Sequence, residues 1–145
     1  MALDLVPLPV ANGTGLSLRD AGEELLVASA PVRVATSDGD AVAAGYDSVT
    51  ADGDRTWCRA EVTAGDGTRV RVEDVWAPSE QGDGFLVSRS IEILARGSAA
   101  GVRTELVLES PLAPSPEWQL FVSGALYNRN DTDLDGREDY LGGTV

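Results

Sequence analysis

The chain has 145 residues, 43% of them hydrophobic, and a formal net charge of −13. All 11 cationic side chains are arginine and histidine is absent, which removes a Ser-His-Asp triad, an imidazole base and a histidine-ligated metal. A single cysteine, Cys58, makes neither an internal disulfide nor a thiolate zinc site, and an acidic chain with no basic run argues against nucleic acid or an anionic membrane as partner.

Taken in chain order, the N-terminus MALDLVPLPVANG is apolar but has no positive n-region, and Asp4 interrupts it. It reads as a poor signal peptide. Strands are expected near 15–19, 23–28, 31–36, 44–50, 56–63, 68–77, 85–95, 102–109 and 118–126. Within them apolar residues recur with period two. Val70 and Val72 oppose Arg69, Arg71 and Glu73. Phe85, Val87, Ile91 and Ile93 share a parity with Arg89 as the odd member. Val102, Thr104, Leu106 and Leu108 oppose Arg103, Glu105 and Glu109. Period two over five to nine residues is the pattern of a half-buried antiparallel strand.

Between these runs lie Asp20-Ala21-Gly22, Asp38-Gly39-Asp40, Asp52-Gly53-Asp54, Gly65-Asp66-Gly67, Gly82-Asp83-Gly84 and the segment Gly97 to Gly101. Asp-Gly steps favour positive φ and tight hairpin turns. No window carries a capped 3.6-residue period, and none approaches the roughly 20 apolar residues of a membrane span. Ser110 to Glu117, SPLAPSPE, reads as a crossing between sheets, because an alternating run resumes at Trp118. The expectation is an all-β fold, an antiparallel β-sandwich or supersandwich built from hairpins, essentially without helix. It spans 1–145 as a single domain, a length that suits one core.

Three features carry candidate chemistry. Residues 131–139 read Asp-Thr-Asp-Leu-Asp-Gly-Arg-Glu-Asp, the spacing of a calcium-binding loop. Calcium takes six to eight hard oxygens. Asp131, Asp133 and Asp135 supply alternating carboxylates, Gly136 the sharp turn, Arg137 a carbonyl and Asp139 a direct or water-mediated oxygen. The twelfth position, usually a bidentate acid, is Gly142, so another ligand must come from elsewhere or the site is weak. A solvated acidic turn is the competing reading.

Just upstream, Tyr127, Asn128 and Arg129 offer an aromatic ring, an amide and a cation suited to a sugar, against ordinary turn chemistry. Of the tryptophans Trp57, Trp76 and Trp118, Trp57 shares the parity of Arg59 and Glu61 and leans outward, where it can stack on a sugar ring. Trp118 leans inward with Leu120 and Val122. Cys58 shares the parity of Ala60 and Val62 and reads as a buried, inert thiol. With 24 acids, a pair spaced for glycoside hydrolysis is always available, so no catalytic residue is singled out. Gly65-Asp66-Gly67 is a hairpin turn and not a phosphate loop.

The stretches GLSLRDAGEELLVASAPVRV (15–34), GFLVSRSIEILARG (84–97), VRTELVLES (102–110) and EWQLFVSGALYNRNDTD (117–133) together resemble the N-terminal β-supersandwich domains of bacterial glycoside hydrolases, related to the galactose-mutarotase-like sandwich. In those proteins the sandwich precedes a helical toroid that carries most of the catalytic apparatus. The resemblance implies a non-catalytic β portion of a bacterial carbohydrate-active protein, with a carbohydrate or a downstream catalytic domain as its partner. No catalytic residue carries over. The ending Gly142-Gly143-Thr144-Val145 reads as the opening of a further strand, so the domain is expected to be cut short there. The rival expectation is a calcium-stabilised structural or adhesive β-sandwich with no sugar role. A self-sufficient small enzyme ranks below both. A bound calcium favours a secreted or extracytoplasmic setting.

Overall fold

The structure is a computed structural model that describes residues 3–82 and 84–110 in full and, beyond them, the backbone of the short strands 126–127 and 140–141. The expected all-β class is what is found. The strands are β1 (Leu3–Val10), β2 (Gly13–Asp20), β3 (Glu23–Ala28), β4 (Val32–Thr36), β5 (Ala41–Ala44), β6 (Ser48–Asp52), β7 (Arg55–Thr63), β8 (Arg69–Pro78), β9 (Phe85–Ala95), β10 (Val102–Leu106), β11 (Leu126–Tyr127) and β12 (Tyr140–Leu141). The chain divides into two compact units, Met1–Pro111 and Leu112–Val145.

The first unit holds three antiparallel sheets, ordered β1-β2-β3, β10-β4-β5 and β6-β7-β8-β9. Their facing side chains form one core: Leu16 and Ala28 from the first sheet, Val32 and Val34 from the second, and Cys58, Ala60, Val62, Val70, Val72 and Trp76 from the four-stranded sheet, with Tyr46 among them. Strict alternation drives this. In β7 every second residue, from Cys58 through Val62, is buried while Trp57, Arg59 and Glu61 face out. In the second unit β11 pairs antiparallel with β12, Leu126 opposite Leu141 and Tyr127 opposite Tyr140.

Hairpin turns lie where the Asp-Gly steps stand. Gly22, Gly39, Gly53, Gly67 and Gly82 all take positive φ, a conformation that glycine adopts without steric cost.

Three expectations need correction. The apolar N-terminus is a strand, β1, and the prolines that hid it, Pro7 and Pro9, are tolerated because β1 lies at a sheet edge, where a missing N–H breaks no ladder. The expected strand 44–50 is two strands. Gly45 N–H donates to the Asn12 carbonyl at 3.1 Å and Tyr46 N–H to Thr14 at 2.7 Å, so the chain leaves the second sheet here, meets β2, and enters the four-stranded sheet. A Cβ on Gly45 would lie 2.8 Å from the Asn12 oxygen, which is why glycine stands at the crossing. The expected strand 102–109 pairs with β4 only as far as Leu106. The chain then crosses to β3, where Glu109 N–H donates to Val27 at 2.7 Å. The expected strand 118–126 lies outside the described residues apart from Leu126.

Candidate functional site

The outer face of the four-stranded sheet is ordered by register. One row across the strands reads Thr50, Trp57, Val75 and Ser88; the next reads Ser48, Arg59, Glu73 and Ser90; Glu61, Arg71 and Glu92 follow in a third. On the other side of the tryptophan row lie Ala77 and Leu86. The face is therefore graded, with an apolar strip around Trp57, a band of hydroxyls and one ion pair, and a band of charge.

Trp57 is 45% exposed, as its parity predicts. Beside it a shallow cleft of about 140 Å³ is lined by Ser48, Thr50, Trp57, Cys58, Arg59 and Glu73. Arg59 Nε donates to Glu73 Oε1 at 2.8 Å. Arg71 bridges two strands, donating to Glu61 Oε1 at 2.8 Å and to Glu92 Oε2 at 2.7 Å. The bond from Arg71 holds the Glu61 carboxyl below the usual carboxylate range, and the same bond raises the arginine.

Chemically the face is a platform. Its cleft is smaller than the roughly 300–1,000 Å³ of an enclosed small-molecule site. Glu61 and Glu73 are both paired with arginines, and the Glu61 carboxyl, held ionised by Arg71, does not serve as the proton donor of glycoside cleavage. What the face offers is an indole ring flanked by hydroxyls and a charged donor–acceptor pair, the equipment for stacking on a ring and hydrogen-bonding its edge.

A second polar constellation lies inside the core and escaped the sequence reading. Asp74 is fully buried. Tyr46 Oη donates to its Oδ2 at 2.5 Å. Arg89 closes on it with two bonds, Nε to Oδ1 at 2.7 Å and Nη2 to Oδ2 at 2.6 Å. Burial, then the bond to Asp74, pushes the Tyr46 phenol far up. Burial opposes the charge of Arg89, but the bonds to Asp74 outweigh it and raise the guanidinium. Burial, reinforced by the Asp74 charge, pushes the Cys58 thiol up to about 12, so its expected inertness has a physical cause. The available signal was parity: Asp74 and Arg89 both fall on inward positions and sit opposite each other in register. Two opposite charges facing the core on neighbouring strands announce a buried ion pair.

Of the other expected site residues, Tyr127 has its backbone in β11, paired with Tyr140. Asn128, Arg129 and the calcium-type residues Asp131, Asp133, Asp135, Arg137 and Asp139 lie outside the described residues, as does Trp118. Among the described residues no group of three or more acidic or cysteine side chains could hold a metal ion. Set against known proteins, the chain matches no family model, no curated protein and no solved structure.

Proposed function

We propose that the chain is a non-catalytic β-sandwich part of a bacterial carbohydrate-active protein, one that holds a glycan on the outer face of its four-stranded sheet. The observation that carries this reading is Trp57. A large aromatic ring stands 45% exposed in a row flanked by Ser48, Thr50, Ser88 and the Arg59–Glu73 pair. A tryptophan ordinarily buries its ring in the core, as Trp76 does at 5% exposure, so leaving one on a rigid sheet forgoes burial worth about 1.5–3 kcal/mol for a large apolar side chain. A sugar ring is a ligand that repays that arrangement, because its apolar face covers the indole while its hydroxyls meet the flanking polar band.

Calcium belongs to the same proposal. Residues 131–139 would hold it through Asp131, Asp133, Asp135, the Arg137 carbonyl and Asp139. Tyr127 and Tyr140, which flank this segment in the sequence, pair antiparallel. The resemblance to glycoside-hydrolase sandwiches points to the same substrate class.

The test is affinity electrophoresis and calorimetry of the full chain against a panel of soluble polysaccharides, for wild type and Trp57→Ala. The expected result is binding to at least one glycan that weakens tenfold or more in the variant, in line with the loss of one stacked aromatic. No binding across the panel favours the calcium-stabilised structural or adhesive module instead, and equal binding by both proteins overturns Trp57 as the glycan site.

A further inference from the structure

β9 is the longest strand and forms one edge of the four-stranded sheet, with β8 as its one sheet neighbour among the described residues. Exposed sheet edges are normally blunted by lysine, proline, bulges or shortness. β9 has no lysine, no proline and eleven residues. Its irregularity falls at its far end, opposite Arg69 and Val70. Its two charges are already neutralised from within, Arg89 by Asp74 at 2.7 Å and Glu92 by Arg71 at 2.7 Å. Ile91 and Ile93, whose parity directs them inward, are 50% and 45% exposed, and Leu86 on the other face is 63% exposed. The edge is thus long and charge-neutral, with Ile91 and Ile93 exposed on its inner face and Leu86 exposed on its outer face beside Ser88, Ser90 and the paired Glu92.

The sequence of β9, Phe-Leu-Val-Ser-Arg-Ser-Ile-Glu-Ile-Leu-Ala, is close to a palindrome in chemical character about its central residue, Ser90. Laid antiparallel on a second copy with that residue at the two-fold, the seven regular positions from Val87 to Ile93 pair directly, and the irregularity at Leu94 falls at each end of the ladder. Val87 meets Ile93, Ser88 meets Glu92, the Arg89 stem meets Ile91, and Ser90 meets itself, with Leu86 brought to the irregular end around Leu94. Two apolar residues thus face each other on the inner face, Val87 and Ile93, a serine faces a carboxylate on the outer face, and no like charges are opposed. A register centred two residues later, on Glu92, sets two carboxylates directly opposite, which destabilises a pair. An edge that recognises itself about a two-fold gives a closed, isologous contact.

We propose that β9 is a homodimer interface, joining two copies edge to edge through an antiparallel β9–β9 ladder centred on Ser90 and forming a continuous eight-stranded sheet. The two-fold stands perpendicular to that sheet, so both outer faces lie on one side.

The test uses the full chain at about 100 µM, where an interface tighter than ~10 µM is largely paired. Sedimentation equilibrium is expected to give the dimer mass for wild type and the monomer mass for Leu86→Lys and Ile93→Lys. Leu86 is the more exposed, so that substitution reads the interface even if the other disturbs the fold; circular dichroism checks both. Cross-linking then fixes the register. Facing residues in an antiparallel pair have Cα atoms about 4.5–5.5 Å apart, within disulfide reach, so Ser90→Cys is expected to form a linked dimer on mild oxidation. In Ser88→Cys the two cysteines stand four residues apart along the ladder, roughly 14 Å, and no link is expected. Cys58 is buried and does not compete. A monomer mass for wild type, a dimer that survives Leu86→Lys, or equal linking of the two cysteine variants overturns the proposal.

Discussion

At the scale of single residues, β7 and β8 bury every second side chain, and the carboxylate of Asp74 is the charged group among those they bury. Trp57 out and Cys58 in follow directly from period two, and both stand so. Asp74 does not, because an aspartate in a strand is ordinarily a surface residue, and only a partner makes its burial tolerable. That partner, Arg89, was visible as the odd member of its own apolar face, but neither charge alone reveals the other. A buried ion pair contributes little by existing and costs much when broken. Asp74→Ala leaves the Arg89 guanidinium charged in the core, and should lower stability by about 3–5 kcal/mol. Tyr46→Phe removes one bond to a buried carboxylate and should cost about 1–3 kcal/mol. The triple replacement Tyr46→Phe, Asp74→Leu, Arg89→Met removes every charged or hydroxyl partner at once and should recover most of the Asp74→Ala loss. Urea midpoints for the three proteins check the order. A triple variant no more stable than Asp74→Ala would mean that the network contributes net stability of its own.

At the scale of elements, the turns were the most legible part, because an Asp-Gly step between alternating runs has a conformational reason to be a hairpin. Less legible were the places where the chain changes sheet, at Gly45–Tyr46 and after Leu106, since a strand that crosses keeps its alternation on both sides. The tie between the turn at Asp66 and the segment after β9 is of this kind. Asp66 accepts from Ala99 N–H at 2.9 Å, from Thr68 N–H at 2.9 Å and from the Thr68 hydroxyl at 2.7 Å. Thr68 Oγ1 in turn receives Gly97 N–H at 3.0 Å. A Cβ on Gly97 would lie 2.3 Å from the Asp66 carbonyl oxygen, so the two segments touch backbone to backbone.

These bonds, that from Ala99 foremost, hold the Asp66 carboxyl below its ordinary value of 3.8. A carboxyl depressed in the folded state binds fewer protons there than in the unfolded chain. Its stabilisation is therefore complete above the ordinary value and is lost as pH falls through the lower, folded one. Asp66→Asn should remove that component. Melting temperatures taken from about pH 5 downward should fall less steeply in the variant than in wild type. Parallel acid limbs would show that the carboxylate charge contributes nothing to the tie.

At the scale of the whole molecule, a net charge of −13 means self-repulsion, and compactness suffers from it. The acids are not spread evenly. In the first unit many are spoken for by arginine, as in the Arg33–Glu105, Arg59–Glu73 and Arg71–Glu61 pairs. Five of the 24 acids, Asp131, Asp133, Asp135, Glu138 and Asp139, fall in one nine-residue window whose sole cationic side chain is Arg137. Clustered like charges without a counterion oppose one another, so a divalent cation held there would act on the largest local concentration of charge in the sequence.

Two kinds of stabilisation by added salt then separate. Screening depends on ionic strength and treats magnesium and calcium alike. A loop of converging oxygens favours calcium, because magnesium demands a tighter octahedron and sheds its water reluctantly. With free calcium at about a hundred times its dissociation constant, a site confined to the folded state adds about 2.7 kcal/mol, enough to raise the melting temperature by several degrees. Chelator-treated protein should therefore melt several degrees higher on adding calcium than on adding magnesium at equal ionic strength. The difference should vanish in Asp133→Asn, whose charge changes by a single unit, too little to alter general screening. An equal response to both cations, or a calcium response that survives the variant, would assign the acidic segment to solvent rather than to a metal.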